Sequence, residues 1–327
     1  MIKTFKLLLL IIGFLFLGCE KPEEPVLPHE TGESITSVID IGSDYSKQSF
    51  FDLYSNQIVA ENIRSNWDLS FECGLLGRHI FLNSSLLQYA SYTEESNFLA
   101  VEDTINAIWK WDYPEGDFQN NALPVFEFNE LSNVILLDLG RDEQGESRGI
   151  KKLQVLNLSA DFWQIRYSNL DNSSDTTLYI QKNNNKSFVQ FSLIQHQLVE
   201  VQPEKNSWDL QVTTYTENLI TEQNDSIPYL VVGLLINMNN VLAIKKEDIS
   251  YDEIDFLFAK DIELSTSMNT IGYDWKTYNF DSSSYTINSN FIYIISDTEG
   301  YLYKLRFIDF YNDFGEKGSV KFEYQIL

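Results

Sequence analysis

Tyr301-Leu-Tyr-Lys-Leu-Arg-Phe-Ile308, a turn cluster at Phe314–Gly318, then Val320-Lys-Phe-Glu-Tyr324 form the stretch whose pattern decides the fold. Aromatic and branched residues alternate with polar ones at the period of two that a half-buried strand requires. The same signature recurs at Ser49–Leu53, Lys152–Asn157, Trp163–Tyr167, Thr177–Gln181, Phe188–Leu193 and Phe291–Ile295. Turn-forming clusters such as Asn172-Ser-Ser-Asp175, Asn183-Asn-Asn185 and Asp297–Gly300 separate these runs. Helical periodicity is scarce, so the chain is expected to be all-β, built as antiparallel sandwich or barrel-like modules.

The opposite end carries an address. Met1–Cys19 reads MIKTFKLLLLIIGFLFLGC, with Lys3 and Lys6 ahead of an apolar run, Leu7–Leu17, that is short for a permanent membrane span. Residues 1–18 are therefore expected to be a signal peptide. Cys19 directly after Gly18 resembles the lipobox of bacterial lipoproteins, which makes Cys19 the expected lipidation residue, although Phe16 stands where that pattern prefers Leu. Residues 19–35 open with Glu20-Lys-Pro-Glu-Glu-Pro25, an acidic, proline-broken run that reads as a flexible tether. Such a run after the lipidated Cys resembles the surface-export signal of Bacteroidetes lipoproteins. The expected location is the outer membrane, lipid-anchored and exposed at the cell surface.

Composition narrows the function classes. With 48 acidic against 23 basic residues, a formal charge of −25 excludes a phosphate-binding face, so no nucleic-acid partner is expected. Cys73 is the one cysteine left beside Cys19, so an intramolecular disulfide cannot hold the anchored form together, and a hydrophobic core must. Cys73, next to Glu72, reads as a small buried hydrophobe. No nucleophile elbow, glycine-rich phosphate loop or clustered metal-ligand motif is present, so no catalytic residue is expected. Acidic pairs such as Asp252-Glu253 arise by chance in so acidic a chain. A glycan-processing enzyme would need two carboxylates converging in one cleft.

The sequence also echoes itself. Phe51-Asp-Leu53, Gln57-Ile-Val59 and Asn66-Trp-Asp-Leu69 correspond to Phe191-Ser-Leu193, Gln197-Leu-Val199 and Ser207-Trp-Asp-Leu210. Downstream, Ile80-Phe-Leu-Asn83 corresponds to Leu234-Leu-Ile-Asn237. Each copy reads as a hairpin feeding a Trp-Asp strand, with Trp packing inward and Asp hydrogen-bonding a turn or strand end. Two β-modules are expected, at 36–150 and 151–327.

Phe191-Ser-Leu193, Asn206–Leu210, Pro228–Asn237, Ile271–Lys276, Tyr303–Phe307, Phe310-Tyr311, Gly315–Gly318 and Lys321–Tyr324, with Trp67–Glu72 earlier, resemble the HmuY family of Bacteroidetes lipoproteins. The resemblance implies an all-β, outer-membrane-attached protein that captures haem and hands it to a TonB-dependent receptor. Haem capture needs imidazole or thioether axial ligands and an apolar slot. The candidates are His79, His196, Met238 and Met268; His29 lies in the tether. The alternative reading is a surface scaffold or adhesion lipoprotein making protein or glycan contacts.

Overall fold

The computed structural model describes residues 31–327. The signal peptide, Cys19, His29 and the tether as far as residue 30 lie outside the described residues. The end of the expected tether is part of the fold: Gly32 donates its N–H to Ile326 O at 3.2 Å, and Gln325 Nε2 bonds Gly32 O at 2.7 Å.

Period-two patterning produces two large antiparallel sheets of five strands and two of four. One five-stranded sheet runs β1 (Ile35–Asp40), β20 (Lys317–Ile326), β19 (Leu302–Tyr311), β18 (Ile292–Ser296), β15 (Leu242–Lys246). The other runs β10 (Thr176–Gln181), β9 (Phe162–Asn169), β8 (Ile150–Leu158), β7 (Ile135–Asp138), β6 (Tyr89–Tyr92). The four-stranded sheets run β12 (Gln197–Val199), β11 (Phe188–Ser192), β4 (Leu69–Glu72), β5 (Ile80–Leu82), and β14 (Ser226–Ile236), β13 (Leu210–Ile220), β2 (Lys47–Asp52), β3 (Gln57–Ile63). A small hairpin, β16 (Lys276–Asn279) with β17 (Ser284–Ile287), and one short helix, α1 (Phe256–Ala259), complete the set named here. No helix among the described residues is long and apolar enough to cross a membrane.

The strands carry two large cores. One gathers Ile39, Phe51, Leu210, Leu234, Trp275, Tyr293, Phe310 and Phe322; the other gathers Leu69, Phe71, Leu137, Trp163, Tyr167 and Phe191. Trp163 and Trp275 are both fully buried, the kind of side chain whose removal leaves a large void.

The internal echo takes an unexpected spatial form. The hairpin β2–β3 pairs not with β4, which follows it, but with β13; the hairpin β11–β12 pairs with β4. The two copies have therefore exchanged hairpins, where the sequence pattern led us to expect each hairpin to feed its own Trp-Asp strand. Equivalent hydrogen bonds hold both exchanges. Asp68 N bonds Phe191 O at 2.9 Å while Asp68 Oδ2 accepts from Leu193 N at 2.7 Å. Asp209 N bonds Phe51 O at 2.8 Å while Asp209 Oδ2 accepts from Leu53 N at 2.8 Å. Asn83 Nδ2 donates to Trp67 O at 2.9 Å, and Asn237 Nδ2 to Trp208 O at 2.8 Å.

The strand orders of the five-stranded sheets match as well, β1 taking the place of β10 and β15 that of β6. In this topology the second copy opens at β10, near Thr176. The boundary expected at 150/151 instead falls at the start of β8, which is hydrogen-bonded to β7 on one side and β9 on the other, so it cuts through a sheet.

Where β14 meets the loop before β16, backbone passes close to backbone. Leu234 and Gly272 exchange hydrogen bonds of 2.9 and 3.0 Å, and a Cβ on Gly233 would lie 2.3 Å from Gly272 O. Gly233→Ala is expected to cost about 1–3 kcal/mol, because neither backbone can give way without losing that bridge. A urea midpoint unchanged from wild type would show that the loop moves freely.

Candidate functional site

The two four-stranded sheets turn their outer faces toward each other, and a hollow lies between them. Its aromatic and aliphatic walls include Phe50, Trp67, Phe81, Phe188, Tyr215 and Leu235. Polar groups interleave with these: Gln211 Nε2 bonds Gln48 Oε1 at 3.0 Å, and Gln190 Nε2 bonds Ser70 Oγ at 3.3 Å. About 800 Å³ of empty space lies in the hollow when its solvent side is included, and about 100 Å³ of it has room for the centre of a water-sized molecule.

Met238 and Met268 both line this hollow. Their placement follows from β14. Its end is pinned by Asn237, whose Nδ2 reaches Lys205 O and Trp208 O at 2.8 Å each, and Met238 follows directly. The loop bearing Met268 is bonded to the same strand, Ile236 N donating to Met268 O at 2.8 Å. Met268 N in turn bonds Glu115 O at 3.0 Å, and a Cβ on Gly116 would stand 2.6 Å from Met268 Sδ. Only glycine leaves that thioether its space.

The two histidines among the described residues, His79 and His196, are elsewhere and engaged. His79 Nδ1 lies 2.6 Å from Glu72 Oε2, and its ring stacks on Phe118 with centroids 4.2 Å apart. His196 is at φ 59° in the β11–β12 turn, its Nδ1 2.8 Å from Tyr167 OH. Neither lines the hollow, so of the four candidates the structure brings together the two methionines. Among the described residues, no group of three or more His, Cys, Asp or Glu could hold a metal ion. Cys73 is buried and burial pushes its thiol up, away from reactivity.

Two features of the hollow were not singled out from sequence. Trp67 Nε1 is buried without a hydrogen-bond partner among the described residues, an indole donor still available beside the hollow. Asp112 lines the hollow and accepts from Leu82 N at 2.6 Å and Ala122 N at 2.8 Å. Burial raises its carboxyl to about 6, against the pull of those two amides. The run Trp109-Lys-Trp-Asp-Tyr113, with aromatics at alternate positions, was the signal that could have found it.

Over residues 44–324 the chain matches the HmuY protein family. The chain belongs to the HmuY family. This is a family of binding rather than catalytic proteins. Solved structures similar to this HmuY-family chain include apo PinO from Porphyromonas gingivitis, at 8% identity and TM-score 0.29, covering 90% of this chain and 97% of that one. The apo HmuY analog TFO of Tannerella forsythia is similar at 11% identity and TM-score 0.25, covering 91% and 98%. A proposed HmuY-like haem-binding protein from Bacteroides vulgatus stands at 10% and 0.25, covering 89% and 90%. No curated protein sequence matches the chain.

Proposed function

We propose that this HmuY-family chain is an outer-membrane lipoprotein, anchored through Cys19, that binds haem in the hollow between its four-stranded sheets and delivers it to a TonB-dependent receptor. The observation that carries the reading is that Met238 and Met268 line one aromatic-walled hollow. Haem iron takes thioether as well as imidazole axial ligands. The donor set therefore suits haem: two thioethers fixed to the end of β14, apolar walls for the ring faces, and the unpartnered Trp67 indole. A bound haem would supply an iron centre to be carried; the protein's own part is to hold the ring and exclude water from it.

A haem titration of the purified chain, read by absorbance in oxidised and reduced states, tests this. Saturable low-spin bands are expected. Met238→Ala or Met268→Ala should abolish them, with affinity falling at least about tenfold, the equivalent of ~1.4 kcal/mol. His79→Ala and His196→Ala should leave the spectrum unchanged. A histidine variant that removed the bands would overturn the assignment of ligands.

The alternative, a surface scaffold for protein or glycan contacts, has the present size of the hollow in its favour, since a porphyrin enters only if the walls part. A featureless titration would put that reading first.

A further inference from the structure

Among the described residues, no lysine or arginine lines the central hollow. Beside it, sharing Tyr113, is a second depression of opposite character. Two adjoining hollows, with about 590 and 770 Å³ of open space, share Lys110, Gln119 and Asn121. Among the described residues no Asp or Glu lines either one, in a chain with 48 acidic residues. Lys110 is exposed, and its ammonium has no ion pair or hydrogen bond among the described residues. Neither polar atom of the Asn121 amide is open to solvent or has a hydrogen-bond partner there. A buried amide in that condition is destabilising until something bonds it.

The groove is also built to keep its shape. Asp117 caps the turn at its rim, accepting from Gln119 N at 2.9 Å and Asn120 Nδ2 at 2.8 Å. Asp112, on the floor of the central hollow, holds Ala122 N, so one carboxylate ties the Asn121 segment to both spaces. Trp111 is steadied through Nε1, 2.5 Å from Asn218 Oδ1, and stacks on Tyr113 with ring centroids 6.2 Å apart.

We propose that this groove is a carboxylate subsite, receiving the acidic arm of a ligand whose apolar body occupies the central hollow. Lys110 supplies the cation and Asn121 the neutral donor. The proposal rests on the haem reading above, and it makes the ligand's acid groups, not only its ring, part of what is recognised. A cation bonding a carboxylate is among the stronger polar contacts available. A chain this acidic otherwise repels anions, which gives an unpaired ammonium its selectivity in a groove whose rim carboxylate, Asp117, is taken up by Gln119 N and Asn120 Nδ2.

The test compares ferric haem with its dimethyl ester, which keeps ring and iron and lacks both acids, on the full chain and on Lys110→Met and Lys110→Arg. Wild type is expected to hold haem about tenfold more tightly than the ester. Lys110→Met should bring haem down to the ester's affinity and leave the ester's unchanged, and Lys110→Arg should keep the preference. Equal binding of the two porphyrins by wild type, or an equal loss of both in Lys110→Met, overturns the subsite while the haem reading stands. Failure of both porphyrins to bind wild type overturns the haem reading, and the subsite with it.

Discussion

Replacing Arg148 by Met is expected to cost about 3–5 kcal/mol of folding stability, the usual result of removing one partner from a buried ion pair. Arg148 Nη2 lies 2.6 Å from Asp68 Oδ1; the two side chains are 8% and 0% exposed. Arg148 Nη1 also bonds Ser65 O at 2.7 Å. The second oxygen of Asp68 is committed to Leu193 N, the bond that seats one exchanged hairpin. Without Arg148 that carboxylate keeps its place and loses its ion-pair partner while staying fully buried. The double variant Asp68→Asn with Arg148→Met should lose less than Arg148→Met alone, because no bare charge is left behind. Urea unfolding of the three proteins decides the matter: a loss below about 1 kcal/mol for Arg148→Met would mean that the pair is not what holds this joint.

The second large effect is a dependence of stability on pH, centred on the equivalent residue of the other copy. Asp209 is fully buried and among the described residues has no counterpart of Arg148; where Asp68 meets that guanidinium, Asp209 Oδ1 accepts the Thr298 N–H at 3.0 Å. Burial first, then the neighbouring Asp297 and Asp52, raises its carboxyl from 3.8 to about 7, against the amides of Leu53 and Thr298. An acid with a raised pKa binds its proton more tightly in the fold than in the open chain. Between those two values the folded chain keeps a proton the unfolded chain has released, so stability falls as pH rises through the window and levels off above about 7. Asp112, raised to about 6, adds in the same direction.

The chain should therefore gain stability on going from about pH 8 to about pH 5.5, by on the order of 3 kcal/mol. Asp209→Asn should flatten much of that slope even though the amide suits its two N–H partners less well and lowers stability throughout. A slope unchanged in Asp209→Asn would place the proton uptake elsewhere.

Strand identity was legible because a period-two pattern reports which face a residue turns to the core. It does not report which strand lies alongside. The Trp-Asp echo was visible, and the roles of its residues followed from chemistry: a short carboxylate beside a strand end finds an N–H to accept from, as Asp68 and Asp209 do. The exchange of hairpins was not visible, since Phe51 and Phe191 read the same whichever Trp-Asp strand they meet.

The site divides in the same way. Met238 and Met268 could be named as soft donors, but their convergence depends on a loop adding to the end of β14, a pairing with no sequence period. His79 could be named as an imidazole donor, but its ring faces Glu72, and the neighbouring Arg78 guanidinium meets Glu127 at 3.0 Å. Lys110 attracted no notice because an exposed lysine is ordinary until the acids are seen to be missing around it.

The exchanged hairpins also set a schedule for the chain's own birth. The two bonds that seat them span 125 and 156 residues, and β1 waits for β20, Ile35 lying opposite Tyr324. Contacts of such separation are reached slowly, because loop closure must come before any pairing rewards it. The first Trp-Asp strand pairs early with β5 on one side but cannot find its neighbour on the other until β11 has emerged, and the first strand cannot find its own until almost the last residue has. The sheet β6–β10 can form as soon as Gln181 is made, so the chain folds in two stages, one five-stranded sheet early and the joints between the copies only when the last strands are present.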